Sequence, residues 1–288
     1  ENTGIQTDHR FRPALDLIFT EGEVVNAKEQ VEWRTDEKGY KVEWLTREEA
    51  LKTIPHISKE ILGAVYTEGV ADVEPYKLML ALTQGCELLG VDINHGNVVN
   101  VGREGSDIQI KTESGVTTCK NVVLAMGPWM GGTSDWLGFN VPIKPLKGQI
   151  IRLNAPNVEI NCSVGWKGNY ACTKPDGLLW AGTTEEDVGF NDIPTPSGRD
   201  QVIEALDKMI PNLDEATLVQ HTACLRPLPL DGKIILGPIS TDQNIFLATG
   251  TGRKGILLGP AMGNIISQLI TGQKLEVDIT SFSPNRFN

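Results

Sequence analysis

The 288-residue sequence predicts a mixed α/β fold in which an α/β domain is interrupted by a β-rich insertion, so that two parts interleave along the chain. Three observations carry this. Apolar runs of strand length alternate with stretches of helical period through residues 15–125. From Val141 the texture changes to short strand candidates punctuated by Gly and Pro. A strand–turn–helix unit, NIFLATGTGRKGILLGPAMGNIISQLITG over residues 244–272, then nearly closes the chain.

Taken in order, residues 15–20 read as a strand, 21–35 as a polar-faced helix and 40–45 as a second, alternating strand. Thr46-Arg-Glu-Glu49 is a capping box that opens a short helix ending before Pro55. Residues 64–70 form a strand, and Pro75 suits the first turn of a helix that runs to about 89 and stops at Gly90. Residues 91–93 and 98–101 follow as strands. Residues 107–112 and 116–125 read as an antiparallel pair joined through Glu113-Ser-Gly115. The second of these ends in Val122-Val-Leu-Ala125, an apolar run of the kind buried on both sheet faces. In the β-rich part, 148–153, 169–173 and 178–181 are strands and 198–209 is one amphipathic helix. Residues 221–225 and 233–236 lead back to the closing unit, whose helix carries Leu258, Met262, Ile265 and Leu269 on one face, with Gly259 and Gly263 allowing close packing on a sheet.

Composition bounds the function. Hydrophobic content of 40% and charged content of 22% suit a globular protein, and no apolar run reaches membrane-span length. Asp plus Glu exceed Lys plus Arg by 37 to 26, which argues against a nucleic-acid or anionic-membrane surface. The five cysteines lack metal spacing, and the expectation is a cytoplasmic protein with reduced thiols and no signal peptide. His9, His56, His95 and His221 are scattered, and neither GxSxG nor a Walker A appears, which removes zinc hydrolase, α/β-hydrolase and P-loop readings. Trp129, Trp136, Trp166 and Trp180 read as core or interface residues, and Glu185-Glu186-Asp187 as a solvated loop.

The GxGxxG of Gly250-Thr-Gly252-Arg-Lys-Gly255 lies between an apolar run and a helix, a context that aims backbone N–H groups and a positive helix end at an anion or polar ligand edge. Together with three other segments it resembles the flavin-dependent D-amino-acid oxidase family, and most closely its glycine-oxidase branch. These are Val122-Val-Leu-Ala-Met-Gly-Pro-Trp129, Val141-Pro-Ile-Lys-Pro-Leu-Lys-Gly148 and Leu225-Arg-Pro-Leu-Pro-Leu-Asp-Gly-Lys-Ile-Ile-Leu-Gly237; Trp44-Leu-Thr and Glu48-Glu-Ala50 extend the similarity over most of the chain.

The resemblance implies a D-amino-acid-oxidase-type flavoprotein fold with FAD as cofactor. Residues 71–138 and 221–272 would form the FAD side, 1–70 and 139–220 the substrate side, and 273–288 a tail. It implies that Ala125, Met126 and Gly127 lie along the cofactor, that Gly250, Gly252, Arg253, Lys254, Gly255 and Ile256 face the flavin, and that Val98 or Val99 holds the adenine. Arg226 takes the place of the guanidinium that clamps a substrate carboxylate, Tyr170 that of a tyrosine closing over the substrate, and Arg253 lies beside the active site. The residues themselves bear on these roles. Arg226 lies in the otherwise apolar HTACLRPLPL, where a charge needs a partner, and a surface salt bridge is its bland reading. Tyr170 is equally well an ordinary sheet tyrosine, and Arg253 a solvent-facing arginine that the helix dipole disfavours unless an anion is near.

The implied activity is oxidation of the amine of a small amino acid (glycine, sarcosine or D-amino acid type) to an imine by hydride transfer to flavin. The family's N-terminal dinucleotide-binding βαβ has no counterpart in these 288 residues. Two alternatives therefore stay open: a chain that binds no FAD alone and relies on a homo-oligomer or a partner chain for the missing βαβ, and a flavin-dependent dehydrogenase of 2-hydroxy acids or glycerol phosphate. If the βαβ is absent, the strand of residues 122–125 is expected to have an uncovered neighbour.

Overall fold

The structure, a computed structural model, describes residues 3–34, 39 and 41–287. Thr35 and Tyr40, where the sequence ends a helix and starts a strand, lie outside the described residues. The chain divides into two compact units, each assembled from separate stretches. The first comprises residues 1–92, 148–185 and 193–224, and the second 93–147, 186–192 and 225–288.

The first unit begins with β1 (Arg10–Phe11), β2 (Ala14–Ile18), α1 (Glu21–Arg34), β3 (Lys41–Thr46) and α2 (Arg47–Thr53), followed by β4 (Gly63–Glu68), β5 (Ala71–Asp72) and α3 (Pro75–Leu88). The capping box at Thr46 forms as the sequence dictates: its side chain accepts from the Glu49 N–H while the Glu49 carboxylate accepts from the Thr46 N–H. Pro75 opens α3, and the Glu74 side chain caps it by accepting from the Lys77 N–H. The second unit then contributes β6 (Val98–Glu104), β7 (Asp107–Thr112), β8 (Gly115–Cys119), β9 (Val122–Leu124) and α4 (Ser134–Leu137). Next come β10 (Ile143–Asn154), β11 (Ser163–Trp166), β12 (Asn169–Thr173), β13 (Leu179–Gly182) and α5 (Pro196–Met209). The chain closes with β14 (Thr217–Pro229), β15 (Ile235–Pro238), β16 (Ile245–Thr249) and α6 (Gly255–Ile270).

An eight-stranded sheet in the order β14-β10-β13-β12-β11-β2-β4-β3 organises the first unit. Its two faces follow from the two-residue strand period. Leu15, Leu17, Ile151, Val164, Ala171, Leu179 and Ala181 share one face and build the main core with Val202, Leu206 and Met209 of α5 and Ala50 of α2. The opposite face carries Val65 and Val42, which pack with Ala27 of α1. In the second unit, β15-β16-β9 form one sheet and β6-β7-β8 another. Leu236 and Phe246 pack against Met262 and Ile266 of α6, the helical face the sequence marked.

Several expectations are corrected. Residues 91–97 form no strand, and Val91 and Ile93 are exposed. The expected strand over 116–125 is two strands in different sheets, because the chain turns at Lys120-Asn121, where the Asn121 side-chain Oδ1 accepts from Asn244 Nδ2 at 2.9 Å. Nor is 122–125 buried on both faces: β9 is an edge strand, and Val123 is 39% exposed. Gly259 and Gly263 are exposed and have nothing within 4 Å of an added Cβ, so they do not mediate helix–sheet packing. β10 and β14 run well beyond the spans expected for them, and β1, β5 and β11 carried no pattern long enough to be read.

Candidate active site

Within the second unit, β9 and β16 pair in parallel, with Val122 opposite Ile245 and Leu124 opposite Leu247. Their carboxyl ends therefore lie side by side, the place where open α/β sheets receive ligands. Both strands leave through glycine turns: Gly127 has φ +55°, Gly250 φ +80° and Gly252 φ +53°. The Thr249 hydroxyl donates to the Gly127 carbonyl at 3.2 Å and ties the two turns together. Gly250 is doubly constrained, because a Cβ there would also come within 3.2 Å of Pro229 Cγ and 3.3 Å of the Ile235 nitrogen. A short 3-10 turn, Gly252–Lys254, leads into α6, and no side chain caps either start. The first N–H groups of α6 and the positive end of its dipole are thus left for a ligand.

An open cleft of about 790 Å³ adjoins these turns, lined among others by Val98, Ala125, Met126, Gly127, Trp129 and Trp136. Four of the expected cofactor residues, Val98, Ala125, Met126 and Gly127, are brought together there. Val99 is exposed and does not line the cleft. Gly250, Gly252, Arg253, Lys254, Gly255 and Ile256 cluster at the start of α6, with Arg253, Lys254 and Ile256 exposed. Arg226 lies half-buried in β14, in the part of that strand assigned to the second unit.

Tyr170 belongs to the first unit. On β12 it stands opposite Gly165 of β11 and Gly182 of β13, on the sheet face away from the main core. A Cβ on Gly182 would come within 3.3 Å of Tyr170 Cε1, so the glycine leaves the ring its room.

The sequence missed one buried charge pair. Lys147, in the KPLKGQ stretch, is 1% exposed, and its Nζ lies 3.1 Å from Glu186 Oε2; the two residues also exchange backbone hydrogen bonds of 2.9 Å. Glu186 is therefore part of a buried ion pair, a correction to the solvated-loop reading, although Glu185 and Asp187 are exposed. A lysine beside a glycine in an apolar strand was the available signal. Among the tryptophans, Trp180 is buried, while Trp129 is exposed and stacks on Phe190 with ring centroids 6.0 Å apart. Among the described residues no His/Cys/Asp/Glu group is arranged to hold a metal, and no helix is long and apolar enough to cross a membrane.

Residues 1–269 match the family DAO, FAD dependent oxidoreductase. The chain belongs to this family. It is 30% identical over 263 residues to the glycine oxidase of Bacillus subtilis, covering 91% of this chain and 70% of that protein. Against the glycine oxidase of Pseudomonas putida it is 27% identical over 271 residues, with 86% and 72% covered. The crystal structure of glycine oxidase from Geobacillus kaustophilus superimposes with a TM-score of 0.95 at 26% identity, covering 99% of this chain and 77% of that one. The fold is the D-amino-acid-oxidase type, and the chain is an FAD-dependent oxidoreductase.

FAD fits the features of the second unit. The glycine turns would let a planar ring approach the backbone, the start of α6, which no side chain caps, would present N–H donors to an electron-rich edge, and Met126, Trp129 and Trp136 would supply apolar wall. A positive helix end beside a group that gains negative charge on reduction stabilises the reduced form.

Proposed function

We propose that the chain oxidises the amine of a small amino acid of the glycine or sarcosine type, with Arg226 as the carboxylate clamp. The observation that carries this reading is the half-buried Arg226 of β14, within the Leu225-Arg-Pro sequence that resembles the family's. A planar fork of donors matches a carboxylate bidentately and fixes the direction in which Cα–H points. Arg253 contributes positive potential at the start of α6. Val98, Ala125, Met126, Gly127 and the 250–256 turn hold the cofactor. When bound, FAD supplies the acceptor for the hydride leaving Cα. The nitrogen gives up a proton to solvent, and the imine released is hydrolysed by water to an oxo acid and an amine or ammonia. The names of the glycine oxidase relatives support the amine over a hydroxy acid as reductant.

The test is steady-state kinetics of the FAD-loaded chain with glycine and sarcosine. Arg226→Ala is expected to raise KM at least tenfold, since a hydrogen bond to a charged group contributes about 1.5–3 kcal/mol. Unchanged KM and kcat in that variant would remove Arg226 from the site.

A further inference from the structure

A second pocket, of about 400 Å³, lies within the first unit between the C-terminal end of α1 and the sheet face formed by β2, β3 and β4. Its lining has a particular chemistry: one carboxylate (Asp16), one guanidinium (Arg34), one indole (Trp33), and the side chains of Val42, Thr67 and Val70. Asp16 and Arg34 share no hydrogen bond or ion pair with each other or with any other described residue, although the charge of Arg34 acts on Asp16. Desolvation by the neighbouring protein pushes the Asp16 pKa up, with the Arg34 charge opposing, and the residue is exposed. The pocket thus holds an anion and a cation that do not neutralise each other by contact, with valine side chains beside them.

The sheet fixes where that carboxylate lies. Asp16 is registered with Gly165, and Gly165 with Tyr170, so Asp16 and Tyr170 share a face with a glycine between them. A side chain on Gly165 would collide with Asp16 Oδ1, which shows the carboxylate leaning across the glycine. Trp33 is 72% exposed at the rim, presenting an indole that can cover a bound cation or an apolar group.

We propose that this pocket is a further binding site for a free α-amino acid, lined by residues other than those assigned to catalysis and not resting on the FAD reading. An ammonium to Asp16, a carboxylate to Arg34 and a branched aliphatic side chain against Val42 and Val70 satisfy the two charges and the apolar lining. Its volume lies in the range of about 300–1,000 Å³ common to small-molecule sites.

The test is ligand-observed saturation-transfer NMR on the full chain, with racemic valine, valinamide and N-acetylvaline as probes. Valine is expected to bind saturably, and each analogue, lacking one of the two charges, to bind about tenfold more weakly or worse. Asp16→Asn is expected to weaken valine binding and abolish the discrimination against N-acetylvaline; Arg34→Gln is expected to do the same for valinamide. In Arg226→Ala, which removes the proposed catalytic clamp, the discrimination among the three probes is expected to persist. Absence of saturable binding, equal binding of the three probes by the native chain, or binding lost with Arg226→Ala but kept in Asp16→Asn would each overturn the proposal. The probe series on the native chain decides the matter even if a variant fails to fold.

Discussion

Asp72 holds together a cluster of cations in the first unit, and its charge is worth removing. Arg10 Nε lies 3.0 Å from Oδ1, while Arg12 Nη1 at 3.1 Å and Lys174 Nζ at 3.0 Å share Oδ2. Arg12 is 5% exposed and Lys174 11%, against 17% for Asp72. Asp72→Asn keeps the shape and removes the only carboxylate within ion-pair distance of these two buried cations among the described residues. Breaking a buried pair from one side costs about 3–5 kcal/mol, because the remaining charge stays desolvated. Arg10, at 35% exposure, adds little. Burial alone would raise the Asp72 carboxyl, but hydrogen bonds from Arg10 and Lys174 and the charge of Arg12 outweigh it and hold the pKa below the ordinary aspartate value. A carboxyl depressed on folding stabilises the native state fully above its unfolded pKa of about 4, and that contribution fades as pH falls through the folded value. Urea unfolding at pH 7 is therefore expected to show the full loss in Asp72→Asn, with the gap from the native chain closing at acid pH. A difference below about 1 kcal/mol at pH 7, or one that persists unchanged into acid, would refute the reasoning.

Other outcomes follow from the same kind of argument. Glu186→Gln is expected to lower stability by about 3 kcal/mol at neutral pH, since it leaves Lys147 buried beside a neutral amide; chemical denaturation checks this. Gly250→Ala places a Cβ against Pro229 and the Ile235 backbone at φ +80°; it is expected to cost about 1–3 kcal/mol and to weaken FAD binding measured by equilibrium dialysis. A thiol-modifying reagent is expected to label Cys86 and Cys224 quickly, both being exposed. Cys162, buried and with its pKa pushed up by that burial to about 12, reacts only on unfolding, as mass spectrometry of the labelled chain would show.

The sequence was most legible where a local signal and a tertiary role coincided. The Thr46 capping box, Pro75 at the start of α3 and the apolar stripe of α6 all formed where their residues dictate, since caps and helical stripes act over a few positions. The glycine turns at 127 and 250 were legible for the same reason. Pairing across long separations was not: nothing local to residues 116–125 says that β8 joins β7 while β9 joins β16, more than 100 residues later. The Lys147–Glu186 pair and the shared carboxylate of Asp72 were missed because each joins distant stretches, and a lone charged residue looks solvated until its neighbour is known. Asp16 was hidden within an ordinary alternating strand, where an outward carboxylate is the common case.

The central claim is that the reductant is an amine rather than an alcohol. Anaerobic mixing of the FAD-loaded chain with glycine or sarcosine is expected to bleach the visible flavin absorbance, and the same experiment with lactate or glycerol 3-phosphate to leave it intact. Bleaching by the hydroxy compounds but not by the amines would contradict the account.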